Sequence, residues 1–120
     1  MARRIIRRPP TAQHVPDAGG LDRFVLTCGD SQAEVIPARG ALISRFAVAG
    51  DEVLFCERAR LRDRGTPPPG GVQVLFPAAG PLDGDRYEAQ GRSFPMRAGG
   101  LARLAPWQVD RKSTRLNSSH

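Results

Sequence analysis

Turn-forming residues recur so closely along this chain that only short strands fit between them. The 120 residues include 13 Gly and 11 Pro, and from Leu21 onward these fall between short apolar runs rather than in one linker. Pro and Gly both weaken helix interiors, so a long amphipathic helix has no room to form. Arg23 to Cys28 (RFVLTC) is rich in β-formers, Gly29-Asp30 supplies a tight turn, and Gln32 to Ile36 (QAEVI) resumes the alternation. That spacing predicts a hairpin. After Pro37-Ala38-Arg39-Gly40, the run Ala41 to Val48 puts Leu42, Ser44, Phe46 and Val48 on one strand face and Ala41, Ile43, Arg45 and Ala47 on the other. Ala49-Gly50-Asp51 then turns the chain into a further strand, Glu52 to Phe55, ending at Cys56. Short strands at this spacing predict an antiparallel all-β layer of sandwich or barrel type.

Glu57 to Gly65 (ERARLRDRG) departs from the strand pattern, and Thr66-Pro67-Pro68-Pro69-Gly70-Gly71 stops any helix there. It is expected to be a solvated loop whose arginines pair with Glu57 and Asp63. Val72 to Phe76 (VQVLF) is a buried-strand candidate closed by Pro77, and Gly70-Gly71 before it allows close backbone approach where a strand begins. No phosphate-loop pattern accompanies these glycines. Arg86 to Ala89 and Arg92 to Phe94, joined at Gln90-Gly91, predict a second hairpin with Tyr87 and Phe94 as cross-strand aromatics.

The two ends differ from the body. Met1 to Gly20 opens MARRIIRRPP and continues Pro- and Gly-rich, which suggests a basic, unstructured leader with a solvated His14. Its apolar stretch is too short for a secretory signal or a membrane span. Asp110 to His120 (DRKSTRLNSSH) resembles the translation of a sequencing-library adapter. It holds the sequence's one Lys (Lys112) and one Asn (Asn117). The domain itself is therefore expected over Leu21 to Val109, as a piece of something longer, because the chain breaks off just after Trp107 as a strand begins. The net charge of +6 comes from the ends. Between Pro9 and Val109 the arginines and the acids balance. A body with no basic stripe gives nucleic acid little to hold, so no nucleic-acid or membrane partner is expected. Cys28 and Cys56 stand far apart with no zinc spacing, and each is expected to be a small buried apolar residue. A cytoplasmic location and no metal follow as default expectations.

Three stretches, taken in order, resemble one family: AEVIPARGALISRFAVAGDEVLF; then Gly70-Gly71-Val72-Gln73-Val74-Leu75-Phe76-Pro77 and the aromatic hairpin; then Gly100-Leu101-Ala102-Arg103 with Pro106-Trp107. Over Leu21 to Val109 the chain resembles the N-terminal part of an aldose 1-epimerase, a family that includes galactose mutarotases and glucose-6-phosphate 1-epimerase-like proteins. The resemblance implies an antiparallel β-sandwich of the galactose mutarotase-like type. It also implies interconversion of the α and β anomers of an aldose without any cofactor. A carboxylate takes the anomeric hydroxyl proton while a His protonates the ring oxygen, and ring closure reverses the roles.

Both catalytic groups are expected beyond Val109, so no catalytic residue is assigned within this chain, and the piece itself is expected to be inactive. Arg103 matches the Arg of the family's GFAR element and is the one implied substrate contact, able to donate paired hydrogen bonds to sugar hydroxyls or a phosphate. The chain departs from the family where Gln and His commonly precede that element, here Ala98 and Gly99. It departs again at Pro69 and Pro81, where basic residues are common. Arg86 or Arg97 is a spatial substitute to look for. Trp107 is expected to be a core aromatic rather than a sugar-stacking surface. The departures leave a second reading open, a non-catalytic carbohydrate-binding sandwich, and a third, a small β module with no sugar role. Unpaired strand edges make the isolated chain prone to aggregate.

Overall fold

The computed structural model describes residues 9–110. The basic pairs of the leader and nearly all of the adapter-like tail, with His120, lie outside the described residues. The fold is all-β, built from antiparallel sheets. Strands β1 (Thr11–Val15), β2 (Arg23–Cys28), β3 (Ser31–Ile36), β4 (Leu42–Val48) and β5 (Asp51–Glu52) form one sheet in chain order. A separate hairpin joins β6 (Arg86–Ala89) to β7 (Arg92–Pro95). Its rings pair as the spacing predicts, with Tyr87 opposite Phe94 and centroids 5.2 Å apart.

Strand β1 corrects the reading of Met1 to Gly20 as an unstructured leader. Thr11 to Val15 pairs with β2 in continuous register, from Thr11 opposite Thr27 to Val15 opposite Arg23. The edge of β2 offers unpaired backbone groups, and an extended segment after Pro9-Pro10 satisfies them. His14 is tied down too, its ring stacked on Phe24 at 4.7 Å.

Strand β4 corrects the simple two-face reading of Ala41 to Val48. Val35 pairs with Ile43, but Glu34 pairs with Arg45, so Ser44 is an extra residue in the ladder. A bulge of one residue reverses side-chain parity beyond it. Leu42 therefore shares a face with Ile36, while Phe46, paired with Ala33, lies on the opposite face beside Leu26.

The core sits on the Leu42 face. Leu21, Ile36, Leu42 and Leu61 cluster there, with Ala38 and Cys56 packed against them. Leu61 comes from the Arg-rich segment, which the sequence suggests is a solvated loop. Instead a 3-10 turn at Arg58–Arg60 lowers Leu61 into the core, because the other face of that turn carries the arginines.

Beyond β5 regular structure is sparse. Val72 to Phe76 is not a buried strand: it makes only isolated bridges, Ile43 to Val72 and Phe76 to Gly100, and Leu75 and Phe76 are exposed. No neighbouring strand runs alongside it among the described residues, so its ladder does not extend. Gly70 and Gly71 do allow close approach, at positive φ, because a Cβ on either would collide with the Phe55 or the Ile43 carbonyl. Trp107 is not a core aromatic. Its backbone N–H donates to Pro37 O at 2.9 Å and its indole Nε1 to Ala102 O at 3.0 Å, which holds the ring at the surface, 43 % exposed. Cys28 is likewise exposed, near the end of β2, while Cys56 is half-buried. Both are free thiols.

Candidate functional site

Arg103 lies in a 3-10 turn, Ala102–Leu104, which Phe76 holds in place. The N–H groups of Leu101 and Ala102 both donate to Phe76 O, at 2.8 and 3.0 Å. Gly100 makes this possible, since a Cβ there would strike the Phe76 carbonyl. The guanidinium then folds back over Gly99, where a Cβ would come within 2.8 to 3.0 Å of its atoms. Nη2 donates to Ala98 O at 2.8 Å and Nη1 to Gln73 Oε1 at 3.3 Å. Gln73 is fixed in turn by donating to Pro68 O at 3.4 Å. Arg103 Nε is buried with no acceptor among the described residues. A guanidinium has five N–H donors, so several remain for a hydroxyl or an oxyanion.

This arrangement changes the meaning of the family departures. Ala98 supplies a carbonyl, and Gly99 supplies the space in which Arg103 lies. Pro69 contributes its carbonyl to the Glu57 N–H at 3.1 Å, so it serves the backbone. Arg86 is engaged within the second hairpin, donating to the Ser93 hydroxyl at 2.7 Å. The structure brings Gln73 to Arg103, a partner 30 positions away whose only mark in the sequence is its place between two β-branched residues.

A second polar cluster, with no motif in the sequence to mark it, surrounds Glu34. Glu34 is buried under the Arg-rich turn and accepts from Arg23 Nη1, Arg58 Nη2 and Ser44 Oγ, each at 2.8 Å. Burial alone would raise its pKa, but the hydrogen bonds from Arg58, Ser44 and Arg23 outweigh it and hold the carboxyl below its ordinary value. Arg62 likewise leaves its own segment and grips Asp17 with two bonds, at 2.7 and 2.9 Å. That contact, with the Leu21 N–H, holds Asp17 well below the usual carboxylate range. Only Arg60 pairs as the sequence suggests, with Glu57 at 3.6 Å. The bulge at Ser44 is what brings a hydroxyl to Glu34.

Arg39 is the least satisfied of the charged groups. It is 3 % exposed, donates once to Thr66 O at 3.2 Å, and leaves Nε and Nη2 without acceptors among the described residues. Burial, reinforced by Arg64, lowers its pKa. Cys56 is pushed up by burial and so stays a thiol. No group of His, Cys, Asp and Glu among the described residues could hold a metal ion. No described helix is long and apolar enough to cross a membrane.

The geometry defines an all-β protein with an arginine displayed beside a backbone junction. No family model matches the chain, and no curated protein does. It is similar to the crystal structure of the Slr1438 protein from Synechocystis sp. PCC 6803, with 27 % identity and a TM-score of 0.64. The likeness covers 96 % of this chain and 37 % of that one. The chain thus spans little more than a third of the length of its structural relative.

Proposed function

We propose that this chain is the N-terminal part of an aldose 1-epimerase-like isomerase, a cytoplasmic β-sandwich enzyme that interconverts the α and β anomers of an aldose, with or without a phosphate. The observation that supports this reading best is a junction. Two of the stretches that carry the family resemblance, Gly70 to Pro77 and Gly100 to Arg103, are bonded to each other through Phe76 O, and Arg103 reaches back to Gln73. Stretches far apart in sequence that meet around one displayed guanidinium are what a substrate contact requires. In this reading Arg103 orients the sugar, while a His and a carboxylate from the continuation of the chain carry the protons.

The test is polarimetry on the intact protein encoded at the source locus. The expected result is accelerated mutarotation of galactose or glucose, lost when the downstream His is replaced, with the 120-residue chain itself inactive. An intact protein that leaves the spontaneous rate unchanged ends the epimerase reading. A non-catalytic carbohydrate-binding protein is the second reading, and what favours it is the absence of any polar side chain at Ala98 and Gly99.

A further inference from the structure

Gln73 sits between two fixed points of the chain. Just before it, Val72 exchanges both backbone hydrogen bonds with Ile43 of β4, at 2.9 and 3.0 Å. Three residues after it, Phe76 O accepts from Leu101 and Ala102, at the turn that carries Arg103. The half-buried Gln73 side chain spans what lies between: its Nε2 donates to Pro68 O at 3.4 Å, and its Oε1 accepts from Arg103 Nη1 at 3.3 Å. We infer that Gln73 is a positioning residue, which holds the Arg103 guanidinium for substrate without neutralising its charge.

An amide suits this task because one planar group carries both an acceptor and a donor. The bond to Pro68 O takes the nitrogen, which leaves the oxygen for Arg103. With Ala98 O on Nη2 at 2.8 Å, each terminal nitrogen of Arg103 is fixed by one neutral acceptor and keeps a second N–H. Four other arginines are held by carboxylates instead: Arg23 and Arg58 by Glu34, Arg45 by Glu52, and Arg62 by Asp17. A carboxylate offsets the guanidinium charge, whereas an amide fixes its direction and leaves the charge for a ligand. A side chain held beforehand also has less freedom to lose when a ligand binds. What Arg103 is held for rests on the substrate-contact reading of the preceding section.

Gln73→Met keeps the length of the side chain and removes both polar atoms, and in the intact protein it is read in two ways, one of them independent of catalysis. Phenylglyoxal modification of Arg103, followed by peptide mass spectrometry, should run about threefold to tenfold faster than in the parent protein, as for loss of one hydrogen bond. Arg86 should react at the same rate in both. Gln73→Glu keeps an oxygen for Nη1 and should leave Arg103 as slow to react as in the parent, which separates a lost acceptor from a disturbed fold. In mutarotation, Gln73→Met should raise KM by a similar factor with kcat nearly unchanged, and should have no further effect once Arg103→Ala is in place. A modification rate that does not respond to Gln73→Met, or an equal rise in KM with and without Arg103, overturns the positioning role. Faster modification in a protein that does not accelerate mutarotation keeps Gln73 as the holder of Arg103 and removes the epimerase reading. Mutarotation alongside an unchanged modification rate does the reverse.

Discussion

Residues 11–52 and residues 53–110 solve the same backbone problem in different ways. The first region is a sheet whose five strands pair in chain order, so each strand bonds to the one next to it in sequence. The second, apart from the β6–β7 hairpin, is held by single bridges at glycines: Gly70 against Cys56, Val72 against Ile43 just after Gly71, and Gly100 against Phe76. Leu61 and Met96 are buried there, but other large apolar side chains of this region are open. Phe55 is 78 % and Phe76 66 % exposed, whereas Leu42 in the sheet is 1 % exposed. The sheet region supplies Leu21, Ile36 and Leu42 to the core, and the bridged region lays Leu61 against them to complete it.

The sharpest way to test this contrast is truncation in each region. Leu42→Ala should cost about 2 to 5 kcal/mol, as for a buried leucine, while Phe55→Ala should change stability by no more than about 0.5 kcal/mol. Urea unfolding of both variants checks it. Comparable losses would mean that the second region packs as tightly as the sheet.

Glycine substitutions come next. Gly71→Ala meets both a positive φ and the Ile43 carbonyl, and should cost about 1 to 3 kcal/mol with loss of the junction to β4. Gly29→Ala, in a turn at positive φ with nothing nearby, should cost about 1 kcal/mol or less. Proteolysis near residues 66–76 reads the first and thermal melting the second. Equal effects would remove close approach as the reason for the Gly70-Gly71 pair.

How much of this was open to sequence reading depends on the range of the interaction. The hairpin of β2 and β3 and the Tyr87–Phe94 hairpin follow from local alternation and turn chemistry. The bulge at Ser44 does not, because its signal is the need of Glu34 for a third hydrogen-bond donor, and Glu34 lies on another strand. Arg103 was legible through its motif, but its cradle of Gln73, Ala98 and Gly99 was not.

Acid probes the polar link between the regions. Glu34 and Asp17 have folded pKa values below their unfolded ones, so their contribution is complete above the unfolded carboxylate pKa and is lost as pH falls through the folded values. Stability should therefore decline below about pH 4.5. Glu34→Gln, which keeps the shape and loses the charge, should cost about 2 kcal/mol at pH 7 and flatten that decline. A decline as steep as in the parent chain would place the acid sensitivity elsewhere.

The smallest effect belongs to Arg39. Its guanidinium is buried, with two nitrogens lacking an acceptor among the described residues and one bonded to Thr66 O, so Arg39→Met exchanges a poorly satisfied charge for an apolar side chain and should be neutral or stabilising by about 1 kcal/mol. Calorimetric melting checks the sign, and a marked loss would show that Arg39 has an acceptor in solution.

The sequence by itself determined the class of the fold and the places where the chain turns, because β-propensity, alternation and glycine chemistry act over a few residues. Tertiary structure alone decided that Thr11–Val15 joins the sheet, that Phe46 turns away from Leu42, that Leu61 is core and Trp107 is not, and which acids hold the arginines. Those outcomes are set by which edges, carbonyls and charges come within a few ångströms after folding, and spacing along the chain carries no record of that.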